Sequence, residues 1–295
     1  MKDREKPEPS RKGVFKSRDG TPIYYEVFGD GRPLLFCYGL LCRREHWRHQ
    51  LEYFRGKYQI IQFDYRGHQY SGRPANDRHL TLEWCARDAQ DLLNHLGLKD
   101  VVVLGHSMGV SVLSHLLRMD ERVKAAVFIC GTVINPFARM FYSNRMNGVF
   151  WAGALLHDLA PNLMSTIWKK ATERTPLNVF ITSRLGFNPR RSGAQDVFNY
   201  MEGVNQTPFA VFNALMRDYR AYDGRDDLSK ITQPVLVIAG EEDIITPMEL
   251  QEEIADLLDK GELLKVSGGS HNAHTDFPDI VNGAILNFLR GLNFT

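Results

Sequence analysis

Excess charge of either sign is missing from this chain. Its 36 Lys and Arg stand against 35 Asp and Glu, a net +1. No basic cluster is interleaved with aromatics on one segment, so the electrostatic footprint of a nucleic-acid partner is absent. Cysteine is also scarce. Cys37, Cys42, Cys85 and Cys130 have no metal-ligand spacing, and Cys37, Cys85 and Cys130 fall in expected strand or helix cores. Free thiols in a reducing cytoplasm are therefore expected, and no metal site. No uninterrupted apolar run is long enough to span a bilayer. The best candidate, residues 149–168, is broken by His157, Asp158 and Pro161, so no integral membrane span is expected. Residues 1–12 are charged and proline-containing without an apolar stretch, which argues against a secretory signal and predicts a disordered tail. What remains, 43% hydrophobic and 24% charged over 295 residues, is ordinary globular composition, enough for one domain with an insertion.

The most specific signal is Gly105-His106-Ser107-Met108-Gly109, which follows the apolar run 101–104 and opens an amphipathic stretch over about 108–119. A strand turning sharply into a helix through G-x-S-x-G strains the serine and exposes its hydroxyl, while the glycines relieve the crowding. Ser107 is the candidate nucleophile; a serine that merely caps a helix is the alternative. A serine needs a base, and the base needs an orienting acid. Residues 234–240 read as a buried strand, with Glu241, Glu242 and Asp243 in the loop just past it. Thr246-Pro247-Met248-Glu249 resembles a capping box, predicting a helix start directly after that loop. Residues 262–266 read as a short strand, followed by a glycine-containing loop that ends in His271 and a helix over about 278–289. His274, His106 and His68 are rival bases, and Glu241 and Glu242 rival acids.

Strand-like runs recur near 14–18, 22–28, 34–38, 59–63, 101–104, 125–130, 234–239 and 262–266, with helical patterns between most of them. Residues 81–96 show the helical spacing well: Leu82, Cys85, Ala86, Ala89, Leu92, Leu93 and Leu96 share one face, and Gly97 supplies the stop. About a hundred residues separate the sixth strand from the seventh, more than a crossover needs. An insertion is placed at 134–222; it holds 14 of the 32 aromatic residues and 5 of the 9 methionines. Most of these are expected to pack the insertion onto the core. The rest, Trp151 and Trp168 among them, are expected to line an apolar pocket above Ser107.

These features together resemble the α/β-hydrolase family, in its lid-bearing single-domain form, from residue 14 to the C-terminus. The order Ser107, Asp243, His271 is that family's triad order. Its G-x-x-D pattern selects Asp243 over the glutamates, and its histidine loop selects His271 over His274. The resemblance implies an eight-stranded, mostly parallel sheet flanked by helices, a core of residues 13–133 and 223–295, and a helical lid over 134–222 after the sixth strand. Leu34-Leu35-Phe36-Cys37 leads into Tyr38-Gly39-Leu40, where the family draws one oxyanion N–H from the residue after the glycine. That implies Leu40 and Met108 as the two backbone donors. Cys42, close to this loop, reads as a small apolar residue bordering the pocket rather than a functional thiol. Residues 63–71 resemble the D-x-R-G-x-G-x-S loop. Two positions depart: Tyr38 stands where histidine is usual, and Gln69 where glycine is usual. Neither removes a reacting group. The implied activity is cofactor-independent hydrolysis of a small apolar carboxylic ester or lactone through a Ser-His-Asp acyl-enzyme, in the cytoplasm, without cofactors or a nucleic-acid partner. A carbon–carbon bond hydrolase on a vinylogous diketone would use the same triad. A slow-turnover ligand-binding signalling protein would share the fold. The oligomeric state is not legible in the sequence.

Overall fold

The computed structural model describes residues 7–294. Eight strands form one sheet: β1 (Arg11–Lys16), β2 (Pro22–Phe28), β3 (Pro33–Cys37), β4 (Gln59–Phe63), β5 (Val101–His106), β6 (Val123–Ile129), β7 (Val235–Gly240) and β8 (Gly261–Val266). Their spatial order is β1-β2-β4-β3-β5-β6-β7-β8. β2 runs antiparallel to both β1 and β4, and every later pairing is parallel. Every residue of β5 is buried, because helices cover both faces of a parallel sheet and β3 and β6 flank this strand. Around the sheet lie α1 (Arg48–Phe54), α2 (Leu82–Leu96), α3 (Met108–Met119), α4 (Arg145–Leu159), α5 (Pro161–Ala171), α6 (Pro176–Leu185), α7 (Ala194–Gln206), α8 (Phe209–Ala221), α9 (Arg225–Leu228), α10 (Met248–Leu257), α11 (Ala273–Asp276) and α12 (Pro278–Gly291). The ends of α2 follow its sequence: Thr81 caps it by accepting from Trp84 N–H, and Gly97 closes it at φ 65.

The chain departs from the sequence reading at two places. The expected disordered tail ends sooner, since Arg11 and Lys12 already pair with Val27 and Glu26 and Ser10 Oγ donates to Val27 O at 3.1 Å. β1 is an exposed edge strand held by its ladder, so it shows no apolar run; residues 1–6 of the expected tail lie outside the described residues. Thr246 does not cap α10, whose N-cap is Pro247; its hydroxyl is engaged elsewhere, as shown below. The excursion between β6 and β7 consists of two short 3-10 turns and the six helices α4 to α9, with Pro161 ending one helix and opening the next. α4 is apolar on more than one side, yet buries only Phe150 and Ala154 fully.

Candidate active site

Ser107 links β5 directly to α3 and sits at φ 54, ψ −120, a region L-residues avoid. Close packing forces the turn. A Cβ at Gly105 would lie 2.8 Å from Gly109 C, and one at Gly109 would lie 2.3 Å from Cys37 O. Ser107 is consequently held at the carboxyl edge of the sheet, where the loops after β7 and β8 also converge.

Those loops bring two of the anticipated partners. His271 Nε2 lies 3.0 Å from Ser107 Oγ, and His271 Nδ1 lies 3.0 Å from Asp243 Oδ2. Asp243 is fully buried. Its Oδ1 accepts the N–H groups of Ile245 and Thr246, both at 2.9 Å, and its Oδ2 accepts Thr246 Oγ1–H at 2.9 Å. Thr246 Oγ1 also lies 3.0 Å from Cys130 O and 3.3 Å from His271 Nδ1, so this threonine ties the acid to the end of β6. Glu241 and Glu242 are exposed. His274 is fully buried against Trp47, His46 and His106.

His106 has a place that its position beside the serine did not reveal. Its Nε2–H donates to the backbone carbonyl of His271 at 2.8 Å, anchoring the loop that carries the imidazole. Burial first, and the neighbouring histidines second, hold its pKa well below the ordinary value, so it stays neutral. On the other side His46 Nε2 meets Asn272 Oδ1 at 2.7 Å. His46 is likewise pushed down to about 4 by burial. Cys42, His46 and His106 offer potential ligand atoms within 4.8 Å of one another, a grouping spread over two segments and so invisible as spacing. Burial pushes the Cys42 thiol up to about 12, so in the protein as it stands it is a thiol rather than a thiolate.

The two departures in the loops meet each other. Tyr38 Oη donates to Gln69 Oε1 at 3.2 Å, lies 3.4 Å from Asp64 Oδ1, and accepts Tyr65 N–H at 3.0 Å. Gln69 holds the left-handed backbone of the usual glycine, at φ 35. Asp64 in turn pairs with the buried Arg44. This network braces the turn in which Cys42 N–H donates to Gly39 O at 3.1 Å and Leu41 sits at φ 65. Leu40 lies in that turn. Met108 opens α3, so its N–H has no intrahelical acceptor.

Ser107 and His271 face a cavity of about 300 Å³ whose walls include Leu40, Phe137, Met140, Phe212, Met216 and Tyr219. Neither expected tryptophan lines it. Trp151 is 53% exposed, with Arg220 over its ring at 4.7 Å. Trp168 stands one layer behind the wall, stacked on Phe212 at 4.9 Å with its Nε1–H donating to Thr207 O at 3.0 Å. A helix apolar on more than one side does not declare which side faces inward.

Comparison with known proteins agrees with this architecture. A non-heme haloperoxidase of Rhodococcus erythropolis is 29% identical over 280 residues, covering 92% of this chain and 97% of that protein. The esterase RhEst1 from Rhodococcus sp. ECU1013 superposes with a TM-score of 0.75 at 20% identity, over 95% of this chain and 98% of the other. Est816, described as an N-acyl homoserine lactone degrading enzyme, gives 0.74 at 22% identity, over 94% and 100%. Likeness at these last two identities carries the fold alone. The family model for the alpha/beta hydrolase fold matches residues 32–278, most of the chain, and the chain belongs to that family of enzymes.

Proposed function

We propose that the protein is a cofactor-independent serine hydrolase of small apolar carboxylic esters or lactones. The observation that carries this reading is the relay Ser107 Oγ to His271 Nε2 to Asp243, with both links at 3.0 Å, opening on an apolar cavity. Ser107 Oγ attacks the carbonyl carbon as its proton passes to His271 Nε2. Asp243 holds the imidazole with its proton on Nδ1 and stabilises the imidazolium. The backbone N–H groups of Leu40 and Met108 hold the oxyanion, with Met108 aided by the positive end of α3. The imidazolium then protonates the departing alkoxide, leaving an acyl group on Ser107. Water attacks this ester with His271 as base, and the carboxylic acid departs.

Residues 134–222 act in this reading as a lid that closes the cavity over Ser107 and selects the acyl or alkyl part. An electrophilic phosphonate tests the reading. It should label Ser107 once per chain, His271→Ala should slow labelling at least about a hundredfold, and chelators should leave it unchanged. Sustained turnover of a short activated ester separates an enzyme from a sensor that acylates once. A label on another residue, or rapid labelling of the His271→Ala protein, overturns the mechanism.

A further inference from the structure

The helices between β6 and β7 bear an apolar face that nothing among the described residues covers. Of the fifteen large apolar side chains exposed among the described residues, eleven lie between Tyr142 and Leu185. Leu155 and Leu159 on α4 are 58% and 75% exposed, Leu163 on α5 is 53% exposed, and Leu177 and Phe180 on α6 are 66% and 57% exposed. Single exposed apolar residues need no explanation, but a concentration over three successive helices does. α4 packs on α5, and Asn178 Nδ2 donates to Ala171 O at 3.1 Å and Glu173 O at 2.8 Å, tying the start of α6 to the end of α5. The face also runs into the cavity mouth, because the exposed Ile181 and Leu185 line the cavity itself.

Charge identifies what such a face fits. Residues 139–191 contain eight Lys and Arg, all exposed, against Asp158 and Glu173 alone. Asp158 is moreover paired with Arg217 at 2.6 Å. The segment is thus cationic by six in a chain whose net charge is +1, leaving the remainder acidic by five. A second copy docked symmetrically on this face would set like charge against like charge. An anionic lipid surface satisfies both properties, taking the apolar side chains among its acyl chains and the Lys and Arg heads at its phosphates. Among the described residues no helix is long and apolar enough to cross a membrane, so the contact is with the surface. We propose that the face formed by α4, α5 and α6 docks the protein on anionic membranes, with the mouth of its cavity turned toward the lipid.

Sedimentation of the full chain with vesicles tests this without any turnover measurement, so its failure is separable from failure of the hydrolase reading. The chain should sediment with phosphatidylserine–phosphatidylcholine vesicles at low salt, at least tenfold more than with phosphatidylcholine alone, and salt should release it. Arg145→Gln, Lys169→Gln and Lys170→Gln together should weaken binding about a hundredfold, near fivefold per cation. Leu155→Asn with Leu159→Asn should weaken it at least tenfold, and both variants should keep wild-type melting and hydrolysis of a soluble ester. Failure to sediment at low salt, or binding indifferent to lipid charge or to both variants, overturns the proposal. So does a wild-type dimer by light scattering that the leucine changes convert to monomer, which would assign the face to a second copy.

Discussion

Replacing Asp243 by asparagine is the sharpest test of the relay, because the surroundings dictate how the amide must sit. Oδ1 accepts two backbone N–H groups at 2.9 Å, so the amide oxygen must occupy that position; an NH₂ there would face two donors. The amide nitrogen is then forced to the Oδ2 position, 3.0 Å from His271 Nδ1. An N–H donor at that point requires a lone pair on Nδ1, which moves the imidazole proton to Nε2 and points it at Ser107. The base can no longer accept the serine proton. Where this tautomer error has been forced in a serine triad, turnover falls about ten-thousandfold, equivalent to about 5.5 kcal/mol of transition-state stabilisation. Asp243 is fully buried, so KM for a short activated ester should move less than about threefold while kcat carries the loss. Stopped-flow or steady-state hydrolysis of a nitrophenyl acetate, with melting curves to establish folding, measures both. The exposed Glu241→Gln and Glu242→Gln serve as controls and should stay within twofold of wild type. A kcat loss under tenfold, or a glutamate variant as damaged as Asp243→Asn, would refute the assignment of the acid.

Other consequences are open to measurement. His46 and His68 are both held down to about 4 by burial. The unfolded chain binds protons from about 6.5 downward while the folded chain does not, so stability present above that pH is lost as pH falls toward 4. The slope should reach about 1.4 kcal/mol per pH unit for each histidine; urea midpoints independent of pH between 7 and 5 would contradict it. Thr246→Val removes the hydroxyl that meets Asp243, His271 and Cys130 O, and should lower kcat about tenfold with KM little changed; wild-type kinetics would show that the hydroxyl is dispensable. Trp151→Ala should leave kcat/KM unchanged across esters of graded chain length, whereas Trp168→Ala, which unsupports Phe212, should shift the preferred length, and the reverse result would misplace the pocket wall. Tyr38→Phe should destabilise by about 1–3 kcal/mol by stranding buried polar groups, and a cycle with Gln69→Ala should show coupling of at least about 0.5 kcal/mol in chemical denaturation. Additive effects would mean that the two side chains do not cooperate.

The sheet and the convergence at its edge were legible because their signals are local. An apolar run ending in G-x-S-x-G has few other structural solutions, and a buried parallel strand followed by an acidic or histidine-bearing loop marks the same edge each time. Contacts joining remote segments left no such trace. His106 supports His271 across 165 residues and His46 meets Asn272 across 226; no periodicity encodes either pair. Thr246 was misread because Thr-Pro-x-Glu suits a capping box, yet a buried carboxylate competing for the same hydroxyl outweighs an N-cap contribution of about 1 kcal/mol. Trp151 was placed inward on aromatic content alone, and composition carries no direction.

The contact between Tyr38 and Gln69 constrains the route by which such a chain could arise. Starting from histidine and glycine at these positions, Tyr38 could come first, since its hydroxyl would still have Asp64 and Tyr65 N–H within reach. Gln69 first would place a side chain in a left-handed backbone costing about 1 kcal/mol or more and bury an amide before its tyrosine partner existed. Even now Gln69 Nε2 is buried without a partner. From such a start, the single-step order that costs least is tyrosine before glutamine. Once both were in place, reverting Tyr38 alone became the costly step, a ratchet that makes the present pair difficult to undo.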